Sequence, residues 1–158
     1  MCLEKMTNTH FSTSANGPIV RFEPGITYSK LIKAVAEQPD LAIQNLPSLP
    51  HINVVGSMIT ATHGSGHKYQ ILTSRVTEFD IVYADGTLRT LNHKSSPDFW
   101  NHLINFGAIG VITSMTMKLV PKFMVNKSIY QDLKWDRLFS NFDDVMHRQD
   151  FLSFFTTW

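Results

Sequence analysis

One segment of this 158-residue chain concentrates glycine, hydroxyl and histidine residues. It runs from Ser48 to Gly66 and reads SLPHINVVGSMITATHGSG. Glycine allows another molecule to approach the backbone closely, and several N–H groups directed into one concavity bind anions such as phosphate. The segment is therefore predicted to hold a polar, phosphorylated ligand. The alternative is that these residues only satisfy a tight turn.

The segment does not match the common nucleotide motifs. Neither a G-x-x-x-x-G-K-[ST] sequence nor a strand followed by G-x-G-x-x-G and a helix occurs in the chain. His63 and His67 stand four apart, which on a helix would be the spacing of two metal ligands. Two glycines and a serine between them disfavour a helix, and no acidic or cysteine partner is near. We therefore predict no metal site.

Composition excludes several classes of function. Lys and Arg total 14 and Asp and Glu total 13, so charge gives no support for binding nucleic acid or a membrane surface. The single Cys2 excludes an intramolecular disulfide framework. No stretch approaches the ~20 apolar residues that span a bilayer. The chain is expected to be soluble, and cytoplasmic by default.

Regular elements are predicted on both sides of the glycine segment. The first 17 residues and residues 44–70 show little periodicity and are expected to be irregular. Thr27 is a plausible N-cap, and Gly107 is a plausible left-handed residue after a helix. The remaining patterns predict strands at 19–22, 76–83, 87–91 and 114–119, helices at 28–38 and from 96–98 onward, and a hairpin turn at Asp85-Gly86.

Pro121 marks a predicted domain boundary. Beyond it we expect a strand over 125–133, an amphipathic helix around 138–146, and a strand over 151–158. Because natural C-termini usually fray into solvent and this chain stops on an apolar strand, we expect a truncated chain whose domain continues downstream.

Together these blocks resemble the flavin oxidases of the vanillyl-alcohol-oxidase superfamily, and within them the alditol (xylitol) oxidases and sugar-1,4-lactone oxidases. The resemblance is carried, in order, by PGITY at 24–28, the segment from Ser48 to Gly66, FDIVYADG at 79–86, and GAIGVIT at 107–113. It implies an α+β fold: the second subdomain of a PCMH-type FAD-binding domain, followed by the start of a substrate (cap) domain. Residues 1–121 would form the first, lacking its N-terminal subdomain, and residues 122–158 the second.

The resemblance implies FAD as the cofactor, held mainly by backbone groups of loops. The matching cofactor-binding positions are Ser48, Asn53, Gly56, Thr60, Ala61, Thr62, His63, Gly64 and Val111. Ser48 would face the flavin and contact a substrate hydroxyl. Val111 would meet the flavin or adenosine moiety through its main chain. Asn53 stands where a close relative would have Ser.

In that family a CH–OH group of an alditol or sugar lactone is oxidised, flavin N5 accepts the hydride, and O₂ is reduced to H₂O₂. No catalytic base is identified here, since Glu23, Glu78 and Asp80 fall on predicted strands outside the segment. The Gly-rich pyrophosphate loop and the catalytic residues of the substrate domain have no match in the chain. A non-catalytic paralogue that acts only as a binding module therefore stays open, as does a phosphate-binding protein unrelated to flavins.

Overall fold

A five-stranded antiparallel sheet organises the chain in the computed structural model, which describes residues 2–156. Its strands are β1 (Thr9–Ser14), β2 (Gly17–Phe22), β4 (Val76–Tyr83), β5 (Leu88–Asn92) and β6 (Gly110–Lys118). Their spatial order is β1-β2-β6-β4-β5. A two-stranded ribbon joins β3 (Leu41–Ala42) to β7 (Val120–Pro121). The predicted α+β class is confirmed.

Alternation along the strands builds the core. Phe79 and Ile81 of β4 are fully buried, and they alternate with the charged Glu78 and Asp80. On β6, Met115 and Met117 are buried on the same face, as their spacing predicts. One face of the sheet thus packs against apolar residues of three helices, α1 (Tyr28–Ala36), α2 (Val54–Ile59) and α3 (Phe99–Leu103).

Two predictions of irregular structure were wrong, and both concern short elements. The polar sequence THFSTS forms β1, because it pairs along its whole length with β2 across the Ala15–Asn16 turn. Within residues 44–70, the sequence VVGSMI forms the helix α2. Its β-branched and glycine residues have weak helix propensity, and burial of Val54, Val55 and Met58 overrides that weakness.

The bounds of two helices also differ from the predicted ones. The first helix starts at Tyr28 as predicted, but Thr27 makes no side-chain cap bond and the helix ends at Ala36. The helix after Ser96-Pro97-Asp98 begins at Phe99, so Pro97 precedes the first turn rather than opening it. Asp85-Gly86 does form the β4–β5 turn, and Gly86 and Gly107 both adopt positive φ.

The expectations beyond Pro121 were only partly met. Residues 122–134 contain no regular element, so the strand predicted over 125–133 is wrong. The amphipathic pattern produces two short helices, α4 (Trp135–Ser140) and α5 (Phe142–Arg148). No strand forms over 151–156, and the end of the predicted 151–158 strand lies outside the described residues. The 125–133 segment lacks a neighbouring strand, and alternation alone cannot satisfy backbone hydrogen bonds.

Candidate dinucleotide-binding site

The site segment begins with a helix that the protein holds at both ends. Asn53 caps α2: its Oδ1 accepts a hydrogen bond from the Gly56 amide at 2.7 Å. The Nδ2 atom of Asn53 donates to the carbonyl oxygens of Pro24 at 2.6 Å and Ile26 at 3.3 Å. The cap therefore ties α2 to the turn that precedes α1, and the side chain of Asn53 is fully engaged by protein.

A buried hydrogen bond anchors the middle of α2. The Tyr28 hydroxyl and Ser57 Oγ lie 2.9 Å apart, and Ser57 Oγ also donates to the Val54 carbonyl. Burial raises the pKa of Tyr28 to about 12, and the bond to Ser57 offsets only part of that rise. Tyr28 thus stays a neutral hydroxyl that fixes α2 against α1.

The C-terminus of α2 reverses direction through Ala61. The Thr62 amide donates to the Ser57 carbonyl and the Ala61 amide to the Met58 carbonyl, which is the pattern of a Schellman motif. Glycine normally occupies the left-handed position of this motif, and here Ala61 adopts φ 55°. A non-glycine residue in this region carries backbone strain of about 1–2 kcal/mol. The left-handed conformation of Ala61 turns the chain sharply into the following loop.

Beyond this turn the backbone donors are free. Within residues 2–156, the amides of residues 63–66 have no hydrogen-bond partner. His63 Nδ1 lies 3.0 Å from the Gly64 carbonyl, a contact that shapes the loop locally. His63, Gly64 and Ser65 are exposed. Successive unpaired amides form the kind of concavity that accepts an anion.

Beside the loop lies a cleft of about 320 Å³. Its lining includes Asn45, Lys68, Tyr69 and Arg75. Both polar atoms of the Asn45 amide are buried and lack any partner within the described residues. Leaving a buried polar group unpaired costs about 1–3 kcal/mol, so this amide is suited to a bound ligand. The loop is close, because a Cβ built on Gly64 would lie 3.7 Å from Asn45 Oδ1.

The C-terminal strap, which we define as residues 147–152, also packs against the loop. The rings of Tyr69 and Phe151 stack with centroids 4.8 Å apart, and the Leu152 amide donates to Ser65 Oγ at 2.7 Å. Lys68 forms an exposed ion pair with Asp150 at 3.5 Å. A Cβ on Gly66 would lie 2.1 Å from the Asp150 carbonyl oxygen, so only glycine fits there. The strap leaves the amides of residues 63–66 unpaired.

The structure brings the predicted residues together only in part. Thr60 and Thr62 lie at the end of α2, their hydroxyls 3.5 Å apart, and the Ile59 carbonyl accepts a hydrogen bond from the Phe106 amide. That bond joins the segment to the 105–110 turn, which leads directly into Val111. Ser48 lies exposed before α2, and no contact of its side chain joins it to the loop within the described part of the chain.

Sequence reasoning missed Asn45 and the anchoring role of Tyr28. Asn45 has no signal in the sequence, because only tertiary packing shows that its amide is unpaired. Tyr28 is the first residue of the helix predicted over 28–38, but its hydroxyl partner 29 residues away cannot be predicted from periodicity. No group of three or more His, Cys, Asp or Glu residues that could hold a metal is found within residues 2–156.

The acidic residues on the sheet serve a different purpose. Arg21 on β2 pairs with Glu78 at 2.9 Å and with Asp80 at 2.5 Å. Thr90 and Ser114 also donate to Asp80. These groups form a polar network on the face of the sheet opposite the core. Glu78 and Asp80 are therefore paired side chains outside the site segment, as expected.

Comparison with known proteins identifies the family. The family described as FAD binding domain (FAD_binding_4) matches residues 2–92. The chain is 35% identical over 139 residues to an alditol oxidase from Streptomyces sp., and 30% identical over 117 residues to a D-arabinono-1,4-lactone oxidase from Debaryomyces hansenii. These alignments cover 88% and 73% of this chain but only 32% and 21% of the relatives.

A solved structure supports the same fold. Xylooligosaccharide oxidase from Myceliophthora thermophila superimposes with a TM-score of 0.60 at 23% identity, covering 75% of this chain and 25% of that one. No helix within residues 2–156 is long and apolar enough to cross a membrane. Free amides beside a cleft with an unpaired amide side chain also suit a phosphorylated dinucleotide. The chain belongs to the family described as FAD binding domain, and its cofactor is FAD.

Proposed function

We propose that this chain is the FAD-binding portion of an oxidase that acts on a CH–OH group of an alditol or sugar lactone, with O₂ as acceptor and H₂O₂ as product. The support for this reaction comes from the relatives, whose names are alditol oxidase and D-arabinono-1,4-lactone oxidase. FAD supplies the redox chemistry when it is bound. The residues of this chain supply binding and orientation.

The observation that carries the proposal is the set of unpaired amides at residues 63–66. Backbone N–H groups neutralise a pyrophosphate without a buried cation. Thr60, Ala61 and Thr62 would border the ligand at the end of α2, and His63 and Gly64 would lie against it. The hydrogen bond between Phe106 and Ile59 holds the 105–110 turn beside the segment, so Val111, which follows that turn, would also contact the ligand. Ser48 would approach a substrate hydroxyl.

Asn53 and Gly56 hold a different place in the proposal. The Asn53 side chain and the Gly56 amide already bond each other, so these atoms are not free to bind FAD. Both residues fix α2 in the segment, and any contact that they make with FAD would involve their other atoms.

The division of the chain is also a proposal. Residues 1–121 would form the FAD-binding part and residues 122–158 the beginning of a substrate domain. The burial of side chains changes near Pro121 and supports this division, since Leu138 is the one buried side chain among residues 122–156. Even apolar residues in this range are exposed, for example Met124, Ile129 and Phe155.

Retention of FAD tests the proposal. The purified 158-residue chain is mixed with FAD, passed through gel filtration, and examined for visible flavin absorbance in the protein peak. We expect Gly64→Val to lower FAD affinity by at least about tenfold, because a branched side chain would add bulk beside the free amides, next to Asn45 and Phe151. Ala15→Val, in the exposed β1–β2 turn, controls for added bulk.

Failure has a clear form. Equal FAD affinity of the wild-type chain and of Gly64→Val, both folded by circular dichroism, would refute the role of the loop in binding FAD. Retained flavin without H₂O₂ formation on xylitol or a sugar lactone would instead favour a binding module that has no catalytic activity.

A further inference from the structure

The glycine segment and the 105–110 turn are joined by a backbone bond that has strained residues on both sides. The Phe106 amide donates to the Ile59 carbonyl at 3.2 Å. Phe106 has a φ of 55°, and so does Ala61, two residues beyond Ile59. Within residues 2–156 the other non-glycine residues with positive φ are both aspartates, which adopt this conformation more readily. Strained backbone persists where surrounding bonds hold it, so this junction needs such bonds.

The side chain of Phe106 does not supply the support. It is 72% exposed, so burial of the ring contributes little to the stability of the turn. Gly107, the next residue, is also left-handed at φ 77°, which glycine adopts without strain. The conformation of Phe106 is therefore held by bonds to the backbone of the turn.

Asn105 makes those bonds on both sides of the turn. The residue is buried, and its Nδ2 donates to the His102 carbonyl near the end of α3 at 2.7 Å. Its Oδ1 accepts a hydrogen bond from the Gly107 amide at 2.6 Å, and its backbone carbonyl accepts one from the Ala108 amide at 2.9 Å. The Asn105 side chain thus links α3 to the left-handed pair 106–107.

The sheet fixes the other end of the turn independently. Gly110 pairs with Tyr83 of β4, and a Cβ built on Gly110 would lie 2.6 Å from the Val82 carbonyl oxygen. Val111 follows and pairs with Val82. Because α3 and β6 hold the two ends, the part of the turn whose conformation depends on Asn105 is the stretch that bonds to α2.

We propose that Asn105 is a positioning residue: it holds the 105–110 turn so that the Phe106 amide reaches Ile59, which sets the end of α2 relative to Val111. Asn105 acts through the turn and does not touch the ligand. The inference rests on the proposed function, in which the end of α2 and Val111 border one ligand. It adds a residue that lies outside the glycine segment.

The test compares Asn105→Ala with Asn92→Ala, which removes the same kind of side-chain turn elsewhere on the sheet. Asn92 Oδ1 accepts from the Lys94 amide at 3.0 Å and its Nδ2 donates to Glu78 at 3.2 Å, so each variant loses two side-chain bonds. Amide hydrogen exchange is followed by NMR in the ligand-free chain. We expect Asn105→Ala to speed exchange of the Phe106 amide at least about tenfold more than Asn92→Ala does.

FAD affinity gives a readout that a purely structural role would not separate. The two variants should lose similar stability in urea unfolding, because they lose similar bonds. We expect FAD affinity, measured by titration of flavin fluorescence, to fall about tenfold in Asn105→Ala and to stay within about twofold in Asn92→Ala. Asn105→Asp keeps the acceptor for the Gly107 amide and should give intermediate exchange and affinity. This variant serves if Asn105→Ala does not fold.

The exchange measurement needs no ligand, so it separates this inference from the proposed function. Exchange of Phe106 that changes equally in Asn105→Ala and Asn92→Ala would overturn the inference. An FAD affinity that falls with Gly64→Val but not with Asn105→Ala would also overturn it and leave the proposed function standing. Faster exchange in Asn105→Ala alone, in a chain whose FAD affinity does not depend on Gly64, would support the positioning role and count against the proposed function.

Discussion

The two halves of the glycine segment differ in how their backbone is satisfied. Residues 53–62 are bonded by the protein, through the Asn53 cap, the Tyr28–Ser57 bond and the Schellman motif. Residues 63–66 have free amides within the part of the chain described, beside the unpaired Asn45 amide. The first half is positioned by the fold before any ligand arrives. The second half has donors that only a ligand or solvent can satisfy.

Hydrogen exchange gives the largest expected contrast. The amides of Gly56, Ser57 and Thr62 are hydrogen-bonded and should exchange at least about a thousandfold more slowly than those of His63 and Gly64 in the ligand-free chain. Addition of FAD should slow exchange at the second pair and change the first little. Equal protection of both halves without ligand would show that the comparison is wrong.

Removal of the α2 cap should be the most destabilising substitution. We expect Asn53→Ala to lower the free energy of unfolding by about 2–3 kcal/mol, since it removes a cap and two bonds to the Pro24–Ile26 turn. Urea unfolding measures the change, with Asn101→Ala, an exposed residue of α3, as the matched control. A loss below that of the control would mean that the cap does not hold α2.

The buried Tyr28 hydroxyl predicts a dependence on alkaline pH. Its folded pKa of about 12 lies above the reference value of 10.0, so the folded state keeps a proton that the unfolded state loses. Stability is therefore complete below pH 10 and falls as the pH rises toward 12, by about 2–3 kcal/mol. Tyr28→Phe should remove this part of the loss, whereas Tyr130→Phe, at an exposed position, should not.

Backbone strain at Ala61 should be released by glycine. Because Ala61 has a φ of 55°, we expect Ala61→Gly to stabilise the chain by about 0.5–1 kcal/mol in thermal or urea unfolding. Ala108 lies in the 105–110 turn and does not adopt positive φ, so Ala108→Gly should destabilise the chain instead. If both changes act in the same direction, Ala61 is not strained.

The smallest effect on the fold is expected at Gly64. A Cβ there would meet Asn45 and Phe151 at 3.7–3.9 Å, which is ordinary contact. Gly64→Ala should therefore change the free energy of unfolding by less than about 0.5–1 kcal/mol. FAD binding should weaken measurably in the same variant. A marked loss of stability would place Gly64 with the positioned half of the segment.

Sequence patterns predicted the elements that depend on local periodicity. Strands β2, β4 and β6 and the β4–β5 turn followed from alternation and from Asp85-Gly86. Helix α2 was missed because its six residues are stabilised by burial and by the Asn53 cap rather than by propensity. The 125–133 strand was predicted wrongly because its pattern contains no information about a partner strand.

The site was predictable to a lesser extent. The resemblance predicted the cofactor, which the family match confirms, and it pointed to the segment from Ser48 to Gly66 as the site, because residue types and their order carry that information. Which amides stay unpaired depends on every neighbour that could accept a bond, including residues far away in sequence. For this reason Asn45 could not be found from the sequence, and the bonded state of the Gly56 amide could not be foreseen.

The polar network around Arg21 has a consequence for folding. A shift of β4 by one residue would turn Glu78 and Asp80 into the apolar interior and expose Phe79 and Ile81. Such a shift is therefore unfavourable on both faces of the strand, because it would bury charged side chains on one face and expose apolar side chains to water on the other. Mispaired sheets should be rare during folding, even though the final strands come together from distant parts of the chain.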